Sequence, residues 1–367
     1  MKKSVKLAVA ASVLTAPAMA ANIPMANSLP LNNMENPLYL PAKNMFYSKL
    51  SNGVMLKVAD DSKAHKMKNH DGEIEFPIIR IQEEMGYGIT DRWAVHGSVQ
   101  YTHDDDIGRT GLSAGRVGTT YRLLNMYNGF VWDIYGDLHL GGIGEMRGAY
   151  NVKGNVLAGQ VSGVFDYDNY SNGMWGFHVG TKFGRVWNRL TTSAFVEVLR
   201  TFGDDNNTIR VVGDNTPFGV IPLPGGINGI NSTATQLAML GAPSQVSAEL
   251  KSTTELNAGA NVFYQWSDKW STGAWFRYNH HTDQGVEKIT TNVNPQLAVL
   301  KTALEQQLSN MKDGFDEYII GLSVARQMTE HAQVALYGEY TFDTAHEKSQ
   351  NGTDVKAEVG VRVNFTF

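Results

Sequence analysis

The sequence predicts an all-β chain, a transmembrane antiparallel up-and-down β-barrel, and three observations carry that expectation. First, the final residues from Asp354 alternate without a break. Val355, Ala357, Val359, Val361, Val363, Phe365 and Phe367 fall on one face, and Lys356, Glu358, Gly360, Arg362, Asn364 and Thr366 on the other. Successive strand side chains point to opposite faces, so one wall of this strand is apolar and the other wet, as a barrel between lipid and water requires. Second, short polar turns flanked by tryptophan alternate with long connections. Third, mean hydropathy is -0.26 and no stretch reaches the roughly 20 apolar residues of a helical span. Yet 42% of residues are apolar, with 37 Gly, 15 Tyr, 15 Phe and 7 Trp, which is not a disordered profile. A net charge of -5 gives no basic footprint for nucleic acid.

The chain divides into residues 1–20, 21–44 and 45–367. Lys2, Lys3 and Lys6, the apolar run Leu7 to Ala16, and Ala18-Met19-Ala20 form the n-region, h-region and cleavage site expected of a secretory signal peptide. The absence of cysteine rules out a lipid anchor on that residue and any disulfide. Asn22–Lys43, with Pro24, Pro30, Pro37 and Pro41, reads as an extended leader. Its run Asn36-Pro37-Leu38-Tyr39-Leu40-Pro41 either tucks into the lumen or lies in the periplasm.

Within the barrel, Ile89-Thr90-Asp91-Arg92-Trp93 joins a strand from about Glu73 to one ending near Tyr101. Trp187-Asn188-Arg189 joins Met174–Val186 to Leu190–Phe202, and Trp266 to Trp270 joins Thr253–Gln265 to Ser271–His281. Met328 to His331 joins Phe315–Gln327 to Ala332–Thr344. Tight turns with interfacial tryptophan belong to the periplasmic rim. The longer connections Asp60–Asp71, Asp204–Leu250, Thr282–Gly314 and Ala345–Thr353 belong outside. Strand direction must agree between the Asp91 turn and Phe367, which demands strands near Met45–Ala59 and Met146–Val152. That gives about fourteen strands, or twelve if both weaker segments fail.

Alternation assigns the faces. Phe130, Trp132, Ile134, Leu138 and Leu140 oppose Asp133, Tyr135, Asp137 and His139, while Ile319 and Arg326 break the pattern of their strand. The pore-lining candidates are Arg80, Glu84, Arg116, Arg122, Asp133, Asp137, His178, Lys182, Glu197, Arg277, Glu339, Lys356, Glu358 and Arg362. Both signs occur, so the lining reads as a wet or ion-paired lumen rather than a single-sign ring. By the same alternation Val359→Arg is expected to be costly and Gly360→Arg tolerated.

Two long loops carry more. Asn294 as N-cap, Pro295 and Gly314 bracket a short helix whose Leu297, Leu300, Leu304, Leu308 and Met311 share one face. That face is expected to rest on the apolar segment Pro217–Leu240 over the mouth. Acidic tips (Asp104-Asp105-Asp106, Asp204-Asp205, Asp166 with Asp168) lack the glycine and glutamate of a calcium loop and read as solvated charge. His280 and His281 near an outer strand end, and His103 beside Asp104, lack a G-x-S-x-G partner and point adjacent histidines to opposite faces, so no catalytic site is expected. No cofactor or metal is implied.

The terminal Phe365-Thr366-Phe367 resembles the C-terminal signature of Gram-negative outer-membrane proteins. Together with the export signal and the hairpin pattern, the whole mature chain resembles porin- or transporter-like barrels at the level of architecture. The resemblance implies export by a cleaved signal, assembly by the barrel assembly machinery, and contact with outer-membrane lipid and lipopolysaccharide. It also implies passive passage of small solutes, the alternative being a non-conducting barrel acting in adhesion or as a rim enzyme. Oligomeric state stays open.

Overall fold

The computed structural model describes residues 30–59, 78–104, 109–140, 147–167, 174–203, 207–222, 228–282, 286–290, 314–343 and 355–367, with isolated positions 298 and 302. In chain order the first strands are β1 (Phe46–Ala59), β2 (Ile78–Thr90), β3 (Trp93–Asp104), β4 (Arg109–Tyr127), β5 (Phe130–Leu140), β6 (Arg147–Asn155) and β7 (Gln160–Tyr167). Next come β8 (Trp175–Trp187), β9 (Leu190–Phe202), β10 (Asn207–Gly213), β11 (Gly219–Pro222), β12 (Asn228–Asn231) and a helix, α1 (Thr233–Met239). The chain continues with β13 (Gln245–Leu250), β14 (Thr254–Gln265), β15 (Trp270–His281), β16 (Val286–Thr290), β17 (Phe315–Gln327), β18 (Ala332–Asp343) and β19 (Val355–Thr366).

Twelve strands close an antiparallel barrel in the order β1-β19-β18-β17-β15-β14-β9-β8-β5-β4-β3-β2. The seam is complete, with β1 and β19 paired from Tyr47 and Thr366 to Ala59 and Val355. The larger count of fourteen does not hold. Phe46–Ala59 is a wall strand, but the segment near Met146–Val152 becomes β6, which leaves the wall with β7 and joins a separate sheet. Both are short, 9 and 8 residues, against 11 to 19 in the wall.

The tight turns all lie at one end. Asn128-Gly129 turns β4 into β5 with φ of 52° and 83°, and Asn188 turns β8 into β9 at φ 50°. These left-handed positions match the twist of two-residue hairpins, and asparagine and glycine take them at little cost. Trp93, Trp187, Trp266 and Trp270 ring this end with side chains outward, an interfacial aromatic belt. Arg326 breaks the alternation at this rim because its guanidinium stacks on Trp270, 5.3 Å from the ring centroid. Elsewhere the outer face is apolar: Val117, Val179, Leu322, Leu336 and Val359 are all more than half exposed, and lipid is the medium that suits them.

The inner face solves a space problem with glycine. Tyr47, Tyr135, Phe195, Trp275 and Tyr337 point inward, and each sits in register with a glycine on a neighbouring strand: Gly86, Gly180, Gly259, Gly321 and Gly360. In every pair the aromatic ring lies where a Cβ on the glycine would stand. Large rings thus lie flat on the wall instead of filling the lumen.

Beyond the long-loop end, segments of three connections make a second sheet in the order β16-β13-β10-β6-β7. β10 runs parallel to β6, which long connections allow and a hairpin could not. Its core is Tyr150, Val152, Val156, Met174, Ile209, Leu237, Val246, Ala248 and Leu250. α1 belongs to this cap: Ser232 accepts from the Thr235 backbone N–H at 3.2 Å, and buried Leu237 joins the core. The expected helix between Asn294 and Gly314 lies outside the described residues, as do Asp105, Asp106, Asp168, Asp204 and Asp205. Part of the apolar segment Pro217–Leu240 is absorbed by the cap core, while Phe218, Val220 and Ile230 stay exposed on the β11–β12 hairpin.

Candidate functional site

The leader meets the inner wall at the tight-turn end. After a 3-10 turn at Pro30–Asn32, Leu38 is fully buried with Leu31 against inward-facing Val131 and Val186. Met34 rests on Tyr47 and Tyr39. Polar groups tie the same stretch to strands all round the barrel. The Asn36 amide donates to Thr191 on β9 at 2.9 Å, and Gln333 on β18 donates to Asn33 at 2.9 Å. Glu35 accepts from Arg362 and Asn364 on β19, each at 2.8 Å. Arg122 on β4 donates to the Leu38 carbonyl at 2.5 Å, and Lys182 on β8 to the Pro37 carbonyl at 2.8 Å. Proline-rich backbone with no sheet partner needs such donors when buried. Residues 33–38 therefore lie across the lumen, held by wall side chains.

Above the leader is a cavity of about 750 Å³. Arg80, Glu84, Arg116, Asp133, Asp137, His178, Lys182, Glu197, Arg277, Glu339, Glu358 and Arg362 all line it. Arg122 lies beneath, buried between Asp133 and the leader. The side chain of Lys356 lies outside the described residues. The candidates read from sequence left out Glu35, Tyr47, Lys49, His96, Trp275 and Glu317, which share the lining, while Tyr135, Glu255 and Tyr337 line it from the inward face that alternation gave them. The signal was present, since each follows the inward parity of its strand, except Glu35, which lies on no strand.

Most of these charges are engaged. Arg122 grips Asp133 with two bonds, at 2.8 and 2.9 Å. Asp137 sits between His96 at 2.6 Å and His178 at 2.7 Å, and the second nitrogen of His178 lies 3.2 Å from Glu197, which also accepts from Tyr135 at 2.7 Å. Arg80 reaches Glu358 and, at 3.6 Å, Glu339. Tyr337 donates to Glu358 at 2.7 Å and Trp275 to Glu339 at 3.1 Å. Glu84 accepts from Tyr47 at 2.7 Å, with the Lys49 ammonium 3.8 Å away. His281 stands 3.3 Å from Glu255 and 3.9 Å from Glu317. Its neighbour His280 points out of the barrel to Asp316 at 2.8 Å, so the two histidines serve opposite faces.

No protein-family model matches the chain, and no curated protein matches it in sequence. Among solved structures it is similar to an outer-membrane channel from Pseudomonas putida F1, at 9% identity over 89% of this chain and 97% of that one, with a TM-score of 0.53. It also matches the NanC porin at 7% identity over 87% of this chain and 98% of that one, TM-score 0.38. The β domain of the Bordetella autotransporter BrkA matches at 9% identity over 89% of this chain and 100% of that one, TM-score 0.39. The fold is that of outer-membrane β-barrel proteins, a closed antiparallel barrel with an apolar outer band.

Proposed function

We propose that the protein is an outer-membrane channel through which small solutes pass by diffusion. One observation carries this reading: the closed barrel encloses a polar, charge-lined space of about 750 Å³ instead of a side-chain core. A barrel built only to display loops gains nothing from a wet interior, because buried charges are costly unless paired or hydrated. Residues 1–20 act as the cleaved export signal, and the barrel assembly machinery inserts the mature chain among outer-membrane lipid and lipopolysaccharide. The leader narrows the periplasmic end. The protein performs no catalysis in this reading. Purified full-length protein in a planar bilayer should give stepwise single-channel currents. Silence of folded, heat-modifiable protein, both intact and without the leader, would remove the channel reading and favour a display role for the outer loops.

A further inference from the structure

The charges of the lumen are not balanced in their engagement. Every described carboxylate lining the space has a cationic or phenolic partner. Two of its arginines have no acidic partner. Among the described residues, Arg116 on β4 and Arg277 on β15 line the space with no carboxylate at ion-pair distance. Lys182 also lacks one, but its ammonium is spent on the Pro37 carbonyl.

The register explains why these two are left over. Arg116 is flanked in the ladder by Ser98 on β3 and His139 on β5. Arg277 is flanked by Gly259 on β14 and Ile319 on β17. Gly259 lies under the Phe195 ring, and Ile319 is the residue whose inward position breaks its strand's alternation. An acid at that position would have neutralised Arg277; the isoleucine leaves the guanidinium open to the lumen. Strands β4 and β15 are separated by β5, β8, β9 and β14 on one side, so the two guanidiniums approach the space from different walls.

We infer that Arg116 and Arg277 form an oxyanion site in the lumen, and that the solutes this channel favours are small carboxylates or phosphates. This rests on the channel reading and names its solute class. A guanidinium offers a planar fork of N–H donors that fits a carboxylate or phosphate with two parallel bonds. Arg116 acts at longer range on Glu197 and Glu255, but neither arginine is held in a contact ion pair, and a guanidinium left without one inside a low-dielectric wall draws anions toward it. Two such groups facing one wet space suit a solute with charged oxygens at both ends.

The test is the reversal potential of the full chain in a potassium chloride gradient, with succinate and inorganic phosphate added as probes. The wild type should prefer chloride, and the probes should reduce its current. R116Q/R277Q should lose several-fold of that preference and its sensitivity to the probes, while R116K/R277K keeps the preference. Heat-modifiable gel migration confirms that each variant is folded. Block by only one probe assigns the site to carboxylates or to phosphates. Unchanged selectivity and block in the glutamine variant, or cation preference in the wild type, would overturn the site. If no form conducts, the channel reading fails by itself. Calorimetric titration of succinate and phosphate onto the folded protein then decides the site: binding lost in R116Q/R277Q upholds it, and no binding overturns it.

Discussion

Val359 and Gly360 sit side by side on β19 and face opposite media. Val359 is 58% exposed on the outer surface. Val359→Arg should therefore destabilise the barrel by about 2–4 kcal/mol if it lies near the bilayer midplane. Alternation alone makes Gly360→Arg the harmless partner, but the Tyr337 ring occupies the space of its Cβ, so that substitution should also damage the wall. Thr341, which lines the wet space, is the fair comparison, and Thr341→Arg should cost far less. Chemical unfolding in lipid vesicles measures all three, and equal losses at Val359 and Thr341 would mean that the faces are misassigned. Arg122 tests pairing instead of facing. Arg122→Met leaves Asp133 buried without its partner and should cost about 3–5 kcal/mol, whereas Arg122→Met with Asp133→Leu should recover most of it. A double variant as unstable as the single would show that the leader carbonyl, not the ion pair, is what Arg122 serves. Parity made the inward side of these residues legible from sequence. It could not tell Arg122, which is paired, from Arg116, which is not, because pairing depends on which residue the register sets opposite each one: Asp133 for Arg122, Ser98 and His139 for Arg116.

At the scale of elements, the wall strands between tight turns were legible because the turn residues and the two-residue period agree. β6 and β7 were not, and the reason is physical. Alternation shows only that one face of a strand is buried in something apolar; it does not say whether that is lipid or protein. Tyr150 and Val152 of β6 satisfy the pattern against the cap core, not the bilayer. Length was a partial clue, since a spanning strand needs about 9–11 residues and β7 falls short of that, though β6 with 9 residues does not. The parallel contact of β6 with β10 joins segments about sixty residues apart, which no local pattern announces. Because the cap has its own core, it should open separately from the barrel. Ile209 is fully buried there, and Ile209→Asp should make the loops sensitive to limited proteolysis while leaving heat-modifiable migration of the barrel unchanged. Loss of both together would mean that cap and wall form one cooperative unit.

For the whole molecule, the main consequence lies in how the leader and wall divide their bonds. All the ladder bonds that close the barrel run between wall strands, and none uses residues 33–41. The leader instead takes up side chains of the inner face: Arg122, Lys182, Arg362, Thr191 and Gln333 each contact residues 33–38. Deleting residues 33–41 should thus leave a folded barrel, with a larger channel. The direction of selectivity follows from charge. The deletion removes Glu35, the acidic partner of Arg362, and frees Lys182 from the Pro37 carbonyl, so two further cations face the lumen. Conductance should rise and preference for anions should strengthen with it. Glu35→Gln separates the two effects, because it releases the Arg362 charge while the rest of the leader stays in place: it should shift selectivity in the same direction with little change in conductance. Planar-bilayer recordings of wild type, deletion and Glu35→Gln give both quantities. Conductance unchanged by the deletion would show that the leader does not restrict the path. A rise in conductance without the shift in selectivity would show that the leader obstructs the lumen by bulk alone and that Arg362 is screened.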